Sequence, residues 1–159
     1  MWRLAQPADD DAVVEMCVRL YREDPAAELV PLAHARRTIE AMRAEPVRGR
    51  VLVLELERRV RGYAVLVSFW SNELGGELCT IDELYVDARE RGKGWGTALV
   101  QGVTSDRATW PRHPVAVELE VTPANARARA LYERLGFEPR RNASMRLRLS
   151  HTESDEVSR

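Results

Sequence analysis

The sequence lacks the features that mark metal-binding, disulfide-rich and membrane-spanning proteins. Its two cysteines, Cys17 and Cys79, form no Cys-x-x-Cys pair and lie in apolar patterns typical of core thiols. The three histidines are isolated from one another, so no metal site is predicted. There is no run of about 18 apolar residues and no apolar leader, and we therefore predict a cytoplasmic protein without a membrane partner.

An excess of charge of one sign is also lacking. The 24 Lys and Arg residues are balanced by 25 Asp and Glu, for a net charge of -1. This balance creates no overall field that attracts a polyanion, so no nucleic-acid partner is expected. With 45% hydrophobic residues the chain is not disordered. We predict a single folded domain over residues 1–149, followed by a mobile polar tail over 150–159.

The hydrophobic periodicity predicts an α/β protein with a mixed sheet covered by helices on both faces. Apolar residues at helical spacing predict two helices before Pro46, one helix after the glycine-rich segment that ends at Gly96, and another from Asn125 to Leu135. The predicted strands cover residues 2–4, 51–56, 62–70, 77–86, 115–122, 137–141 and 144–149.

The most informative segment is a glycine-rich turn between the strand over 77–86 and the next helix. Glycine lets the backbone approach a phosphate closely, and the first amides of a helix carry the positive end of its dipole. The segment therefore predicts an anion-binding cradle. Its mouth carries additional mobile positive charge from Arg89, Arg91 and Lys93.

Two other phosphate-binding motifs fit this turn poorly. A P-loop needs Ser or Thr after its lysine, whereas Lys93 is followed by Gly94. A dinucleotide-binding Rossmann motif needs the spacing GxGxxG, whereas Gly92, Gly94 and Gly96 give GxGxG, and several strands precede them. A dinucleotide-binding protein is therefore a disfavoured alternative.

Two motifs lie in the second half of the chain. The first is Arg91-x-x-Gly94-x-Gly96, which follows Leu84-Tyr85-Val86. The second is Asn125-x-x-Ala128-x-x-Leu131-Tyr132, which ends in Gly136-Phe137. They resemble the two signatures of the GNAT superfamily of acetyl-CoA-dependent N-acetyltransferases. The resemblance implies a GNAT-like fold with a mixed, mostly antiparallel sheet of about seven strands.

The resemblance also implies that acetyl-CoA is the cosubstrate. The amides of the glycine turn would hold its pyrophosphate, and its pantetheine arm would pair with the central strand where that strand splays from its neighbour beyond a bulge. Asn125 would meet the cofactor arm or cap its own helix, and both alternatives remain open. The implied cofactor-binding residues are Leu84, Tyr85, Val86, Arg91, Gly92, Lys93, Gly94, Trp95, Gly96, Thr97 and Asn125.

By resemblance, Tyr132 is the general acid that protonates the departing thiolate of coenzyme A. A thiol has a pKa of about 8.5 and a tyrosine one of about 10, so full proton transfer is uphill by roughly 2 kcal/mol. We therefore expect a hydrogen bond to the developing charge on sulfur to supply most of the effect.

The amine acceptor needs a base, because a primary amine with a pKa of about 10.4 is protonated at pH 7. Asp82 and Glu83 lie in the strand beside the predicted acetyl site. Adjacent strand residues point to opposite faces, so only one of them faces the acceptor. The parity of the strand favours neither, and both stay candidates, with Glu83 preferred.

The segment after Phe69 is predicted to bind the acceptor. Trp70, Asn72 and Glu73 combine an aromatic ring with polar and acidic groups, which suits an ammonium group. Together with Asp82 and Glu83, they favour a cationic acceptor such as a polyamine, an aminoglycoside or a lysine side chain.

We predict direct attack by the amine in a ternary complex. A covalent acyl-enzyme is not expected, because nothing beside Cys79 would activate a thiol. The alternative is a non-catalytic acyl-CoA-binding module of the same fold. Proteins similar to this one commonly form dimers, so a homodimer is a further expectation, without a nucleic-acid partner.

Overall fold

The computed structural model describes residues 1–25, 30–142 and 144–147. In this part of the chain, five strands form one sheet in the order β1-β2-β3-β4-β5. The strands are β1 (Trp2–Leu4), β2 (Gly49–Leu56), β3 (Arg59–Ser71), β4 (Gly76–Val86) and β5 (Ala116–Leu119). The helices are α1 (Asp10–Glu23), α2 (Leu32–Ala44), α3 (Trp95–Ser105) and α4 (Ala126–Arg134).

The mixed, mostly antiparallel sheet predicted from the sequence is confirmed. Strands β1 to β4 pair antiparallel in succession, whereas β4 pairs parallel with β5. A parallel pair needs a long crossover connection, and α3 provides it. Glu57 and Arg58 adopt positive φ values of 50 and 59°, which fits the tight turn between β2 and β3.

The prediction of about seven strands was wrong for the described residues. Residues 137–141 and 144–147 carry no strand, and residues 148 and 149 lie outside the described part of the chain. Pro139 offers a physical reason for the first of these segments, because proline has no N–H to donate to a sheet. The predicted polar tail also lies outside the described residues.

Each face of the sheet is covered by its own helices. On one face, α1 and α2 bury Val13, Cys17 and Ile39 against β2, β3 and β4. On the other face, α3 buries Leu99 and Val103 in a cluster that also includes Trp110 and Cys79 from elsewhere in the chain. Fully burying a large aliphatic side chain contributes about 1.5–3 kcal/mol, so these two clusters supply most of the stabilisation.

A bulge in β4 positions the site. Val65 of β3 pairs with Glu83, and the next residue, Leu66, pairs with Ile81, so Asp82 has no partner on β3. The extra residue reverses the faces: Ile81 belongs to the cluster under α3, whereas Tyr85 belongs to the cluster under α1 and α2.

The pairing of β4 with β5 also stops at this bulge. It runs only from Leu78 to Ile81, so the edge of β4 beyond Ile81 has no strand neighbour within the described residues. The two strands diverge here, and a cavity opens beside the last residues of β4. None of the helices described is both long and apolar enough to cross a membrane.

Candidate active site

A cavity of about 500 Å³ lies beside the unpaired end of β4. Its walls come from the end of α1, from Leu84–Val86, from the glycine turn with the start of α3, and from the first two turns of α4. The structure therefore brings together most of the residues predicted to bind acetyl-CoA. Lys93 is the exception, because it lies outside the wall, exposed and paired with Glu90 at 2.8 Å.

One wall of the cavity is a strand with an open edge. On one side, Leu84, Tyr85 and Val86 pair with Ala64, Tyr63 and Gly62 of β3. The backbone groups that point the other way have no strand partner in the described structure. An extended chain that carries amide groups can therefore bind here as an added strand.

The glycine turn that was predicted to bind an anion forms one end of the cavity. Gly92 and Gly94 adopt φ values of 82 and 86°, a left-handed conformation that favours glycine. Gly94 is the N-cap of α3, and a side chain built there would meet no atom within 4 Å, so the space above the first helical amides is open. The buried indole N–H of Trp95 has no hydrogen-bond partner among the described groups. Both features fit a phosphate-bearing ligand.

The side chain of Arg91 is held inside the protein. Its Nε donates to the carbonyl oxygen of Val86 at 2.7 Å, and its Nη2 lies 2.6 Å from the carboxylate of Glu23. The guanidinium also stacks over the Tyr85 ring, 5.2 Å from its centroid. The sequence predicts a mobile cation at this position, and the structure shows instead a fixed one that neutralises Glu23.

Asn125 caps its own helix. Its Oδ1 accepts from the backbone N–H of Ala128 at 3.1 Å, and its Nδ2 donates to Asp24 at 3.1 Å. Thr122 donates to the other oxygen of Asp24 at 3.0 Å. Of the two alternatives left by the sequence, the structure displays the cap. Asp24 thereby ties the end of α1 to the start of α4 at the rim of the cavity.

Tyr132 lies on α4 in the cavity wall, facing the space beside β4. The side chain is buried and packs edge-on against Phe137, with ring centroids 5.5 Å apart. Burial raises the pKa of its hydroxyl, so Tyr132 stays protonated and remains a hydrogen-bond donor at neutral pH. A raised pKa makes full proton transfer to a thiolate still less favourable, which strengthens the case for hydrogen bonding.

Glu83 is half-buried on the face covered by α1 and α2. Its Oε1 accepts a short hydrogen bond from the Tyr21 hydroxyl, and its Oε2 accepts one from Tyr63 at 2.8 Å. Burial first, and then Glu83 itself, raise the pKa values of both tyrosines, so both stay protonated donors. Neither tyrosine is predicted as a site residue from the sequence, because no local pattern links α1 or β3 to Glu83.

Asp82 has quite different surroundings, since it is the exposed residue of the bulge. Partial desolvation and the nearby charge of Glu120 raise the pKa of its carboxyl group, while Arg146 lowers it. The two carboxylates predicted as candidate bases therefore occupy distinct environments, one hydrogen-bonded by tyrosines and the other open.

The residues predicted to bind the acceptor lie elsewhere. Trp70, Asn72 and Glu73 are exposed around the β3–β4 turn, and none lines the cavity. Trp70 pairs with Glu77, and the bulge lies about five residues, or roughly 16 Å, further along β4. The structure does not bring these three residues to the cavity.

Glu77 is held inside the protein by hydrogen bonds. It is buried and accepts from the Trp110 indole at 3.0 Å and from Arg112 at 2.7 Å. No group of three or more metal-ligating side chains occurs in the part of the chain described here.

Residues 14–137 match the acetyltransferase (GNAT) family. The chain belongs to this family. No curated protein matches the sequence.

Solved structures share the fold over nearly the whole chain. An integron cassette protein from the mobile metagenome of Cole Harbour Salt Marsh is 26% identical with a TM-score of 0.75, covering 94% of this chain and 91% of its own. A possible acetyltransferase from Clostridium difficile 630 is 21% identical with a TM-score of 0.77, covering 95% and 98%. A ribosomal-protein-alanine N-acetyltransferase from Brucella melitensis is 18% identical with a TM-score of 0.70, covering 94% and 99%. At their identities, the last two show the fold alone.

Proposed function

We propose that the protein is an N-acetyltransferase that moves the acetyl group of acetyl-CoA to a primary amine by direct attack in a ternary complex. The observation that carries this proposal is the combination of three features in one cavity: the open edge of β4, the glycine cradle at the start of α3, and Tyr132 on the opposite wall. An extended, amide-bearing chain with a phosphate group at one end fits this arrangement.

The cosubstrate supplies an activated thioester, and the residues of the chain would orient it. The amides from Arg91 to Thr97 would hold the pyrophosphate, and the outward backbone groups of Leu84–Val86, apart from the Val86 carbonyl that accepts from Arg91, would pair with the pantetheine arm. That pairing leads the thioester toward the bulge, where Glu83 and Asp82 lie. The Tyr132 hydroxyl would then donate a hydrogen bond to the sulfur as the C–S bond breaks.

The acceptor in this proposal is cationic, either a small molecule such as a polyamine or aminoglycoside or a lysine side chain. Support comes from the bulge, where Asp82 is exposed and close enough to Glu120 for the two charges to interact. An ammonium group would relieve their repulsion. Glu83 would act as the base that prepares the amine for attack.

Ligand binding is the first expected result. Acetyl-CoA or coenzyme A at about 100 times its Kd adds roughly 2.7 kcal/mol of stability, a rise of about 5–10 °C in Tm for a domain of this size. NAD measured in parallel is expected to give no rise. A rise with NAD alone would contradict the proposal and restore the dinucleotide-binding alternative.

Turnover separates an enzyme from an acyl-CoA-binding module. Thiol release is measured with acetyl-CoA and a panel of amines that contains polyamines, aminoglycosides and lysine peptides. We expect release above the background rate with at least one cationic amine. Binding of acetyl-CoA without release for any amine would overturn the catalytic proposal and leave a binding module.

Replacing Tyr132 with Phe is expected to slow turnover by about 100-fold at most, within the range of general acid catalysis. The ring and its packing against Phe137 remain, so the acetyl-CoA-induced rise in Tm should be unchanged. Single-turnover rates and thermal midpoints measure the two effects separately. A wild-type rate in the Tyr132→Phe protein would remove Tyr132 from the chemistry.

A further inference from the structure

Both carboxylate oxygens of Glu83 are occupied by tyrosine hydroxyls. Tyr21 donates to Oε1 and Tyr63 donates to Oε2. Tyr63 has an exposed fraction of 0%, whereas Tyr21 is half-buried. Leu20, one residue earlier on α1, lines the cavity, whereas Tyr21 and Glu83 lie outside its wall. Of the two hydroxyl groups on Glu83, the one on Tyr21 therefore belongs to the side chain that reaches the surface.

We propose that Tyr21 is a proton relay between the acceptor amine and Glu83. Its hydroxyl takes a proton from the ammonium group while it passes its own proton to the carboxylate. Tyr63 is a positioning residue that fixes the other oxygen from the buried side. This inference rests on the proposed acetyl transfer and deepens it, because it names the side chain that the amine meets.

The protons and bonds balance over one turnover. A proton moves from the ammonium nitrogen to the Tyr21 oxygen as the Tyr21 proton moves to Glu83, which becomes a carboxylic acid. The free amine attacks the thioester carbonyl carbon, the C–N bond forms, and the C–S bond breaks. The second amine proton is released to solvent, and the coenzyme A thiolate leaves while it accepts a hydrogen bond from the Tyr132 hydroxyl, after which solvent protonates it. Glu83 then returns its proton to solvent through Tyr21.

The thiol and phenol groups around this pair stay protonated, and Asp82 contributes a negative charge. On α1, burial and the charge of Glu83 raise the pKa of Cys17 to about 11. Tyr63 faces the pair from β3, while α2 contributes the apolar Ile39 to the same cluster. Asp82 and Tyr85 come from β4, and the charge of Asp82 also raises the pKa of Tyr21. In this setting the Tyr21 hydroxyl accepts one proton and donates another in a single step, without forming a phenolate.

The test compares Tyr21→Phe with Tyr63→Phe, since each removes one hydroxyl from the same carboxylate. Tyr21→Phe should lower kcat by about 100-fold at neutral pH. Its rate should also rise more steeply with pH than the wild-type rate, because the amine must then lose its proton to solvent. Tyr63→Phe should lower Tm and reduce kcat less, with the pH profile unchanged. The rise in Tm with acetyl-CoA should persist in both proteins.

Each outcome separates the relay from the acetyl transfer itself. If Tyr21→Phe has the same rate and pH profile as the wild-type protein, the relay is overturned and the acetyl transfer stands. Equal effects of the two variants would have the same meaning. Absence of wild-type turnover with every amine would overturn both proposals. The double variant of Tyr21→Phe with Glu83→Gln should be no slower than Glu83→Gln, because both residues serve one path.

A second readout needs neither acetyl-CoA nor turnover. Tyrosinate absorbance is titrated in the wild type, in Tyr21→Phe and in Glu83→Gln. The titration step that is missing in Tyr21→Phe belongs to Tyr21. Its pKa should lie above the usual value of about 10 in the wild type and should be lower in Glu83→Gln. A Tyr21 step that Glu83→Gln leaves in place would show that the hydroxyl and the carboxylate are not coupled, and would overturn the relay.

Discussion

Replacing Glu83 with Gln is expected to lower kcat by about 100- to 10,000-fold at neutral pH, the range that a general base contributes. The amide keeps the size of the side chain and its oxygen can accept one of the two tyrosine hydrogen bonds, but it takes no proton. The amine then has to be deprotonated by solvent, so the variant's rate should rise about tenfold per pH unit below the amine pKa of about 10.4. Steady-state rates between pH 6 and 9 measure this slope.

Asp82→Asn is the matched control, since it removes the same charge from the neighbouring residue. Asp82 lies exposed in the bulge, without the tyrosine partners of Glu83. We expect a raised KM for cationic amines and a nearly unchanged kcat. A larger loss of kcat in Asp82→Asn than in Glu83→Gln would assign the base to Asp82. Normal rates and pH profiles in the double variant would remove both acids from the mechanism.

Replacing Gly94 with Val is expected to weaken binding of coenzyme A by roughly 100-fold. Gly94 has a φ of 86° and open space where a side chain would stand, so the added methyl groups would occupy the cradle and displace the phosphate from the helical amides. One or two hydrogen bonds to a charged group are worth about 1.5–3 kcal/mol each, which gives this magnitude. Calorimetric titration with coenzyme A measures it directly.

Gly75→Val separates loss of the cradle from backbone strain. Gly75 has a φ of 67°, also with no atom within 4 Å of an added side chain, and it lies in the β3–β4 turn outside the cavity wall. Both variants should lose about 1–2 kcal/mol to the left-handed conformation. Only Gly94→Val should lose affinity for coenzyme A. Equal losses of affinity would show that general strain, rather than the cradle, was responsible.

Features with a local cause were predictable from the sequence. The turn at Gly92 and Gly94 was predicted because close approach of the backbone to an anion requires glycine there, and both adopt positive φ. The inward residues of α3 were predicted because their spacing follows the helical period. The extent of the strand after α3 was less predictable. Alternation predicts a strand over 115–122, whereas pairing supports only Ala116–Leu119.

Features that depend on contacts between distant residues were not predictable. Tyr21 and Glu83 are 62 residues apart, and neither the helix of one nor the strand of the other signals their contact. The GNAT resemblance implied a bulge, but its position at Asp82 follows from the pairing of β3 with β4. The position of Trp70 relative to the cavity was also not predictable, because its hairpin turn is near the bulge in sequence but lies at the far end of β4.

The hydrogen bonds of Asp24 have a thermodynamic consequence for ligand affinity. They join α1 to residues about a hundred positions away in the chain, beside the part of the cavity wall that Asp24 and Asn125 form. The entropy of bringing these distant segments together is therefore lost during folding and not when the ligand arrives. The cavity walls are therefore preorganised, and ordering them reduces the binding free energy of a ligand only slightly.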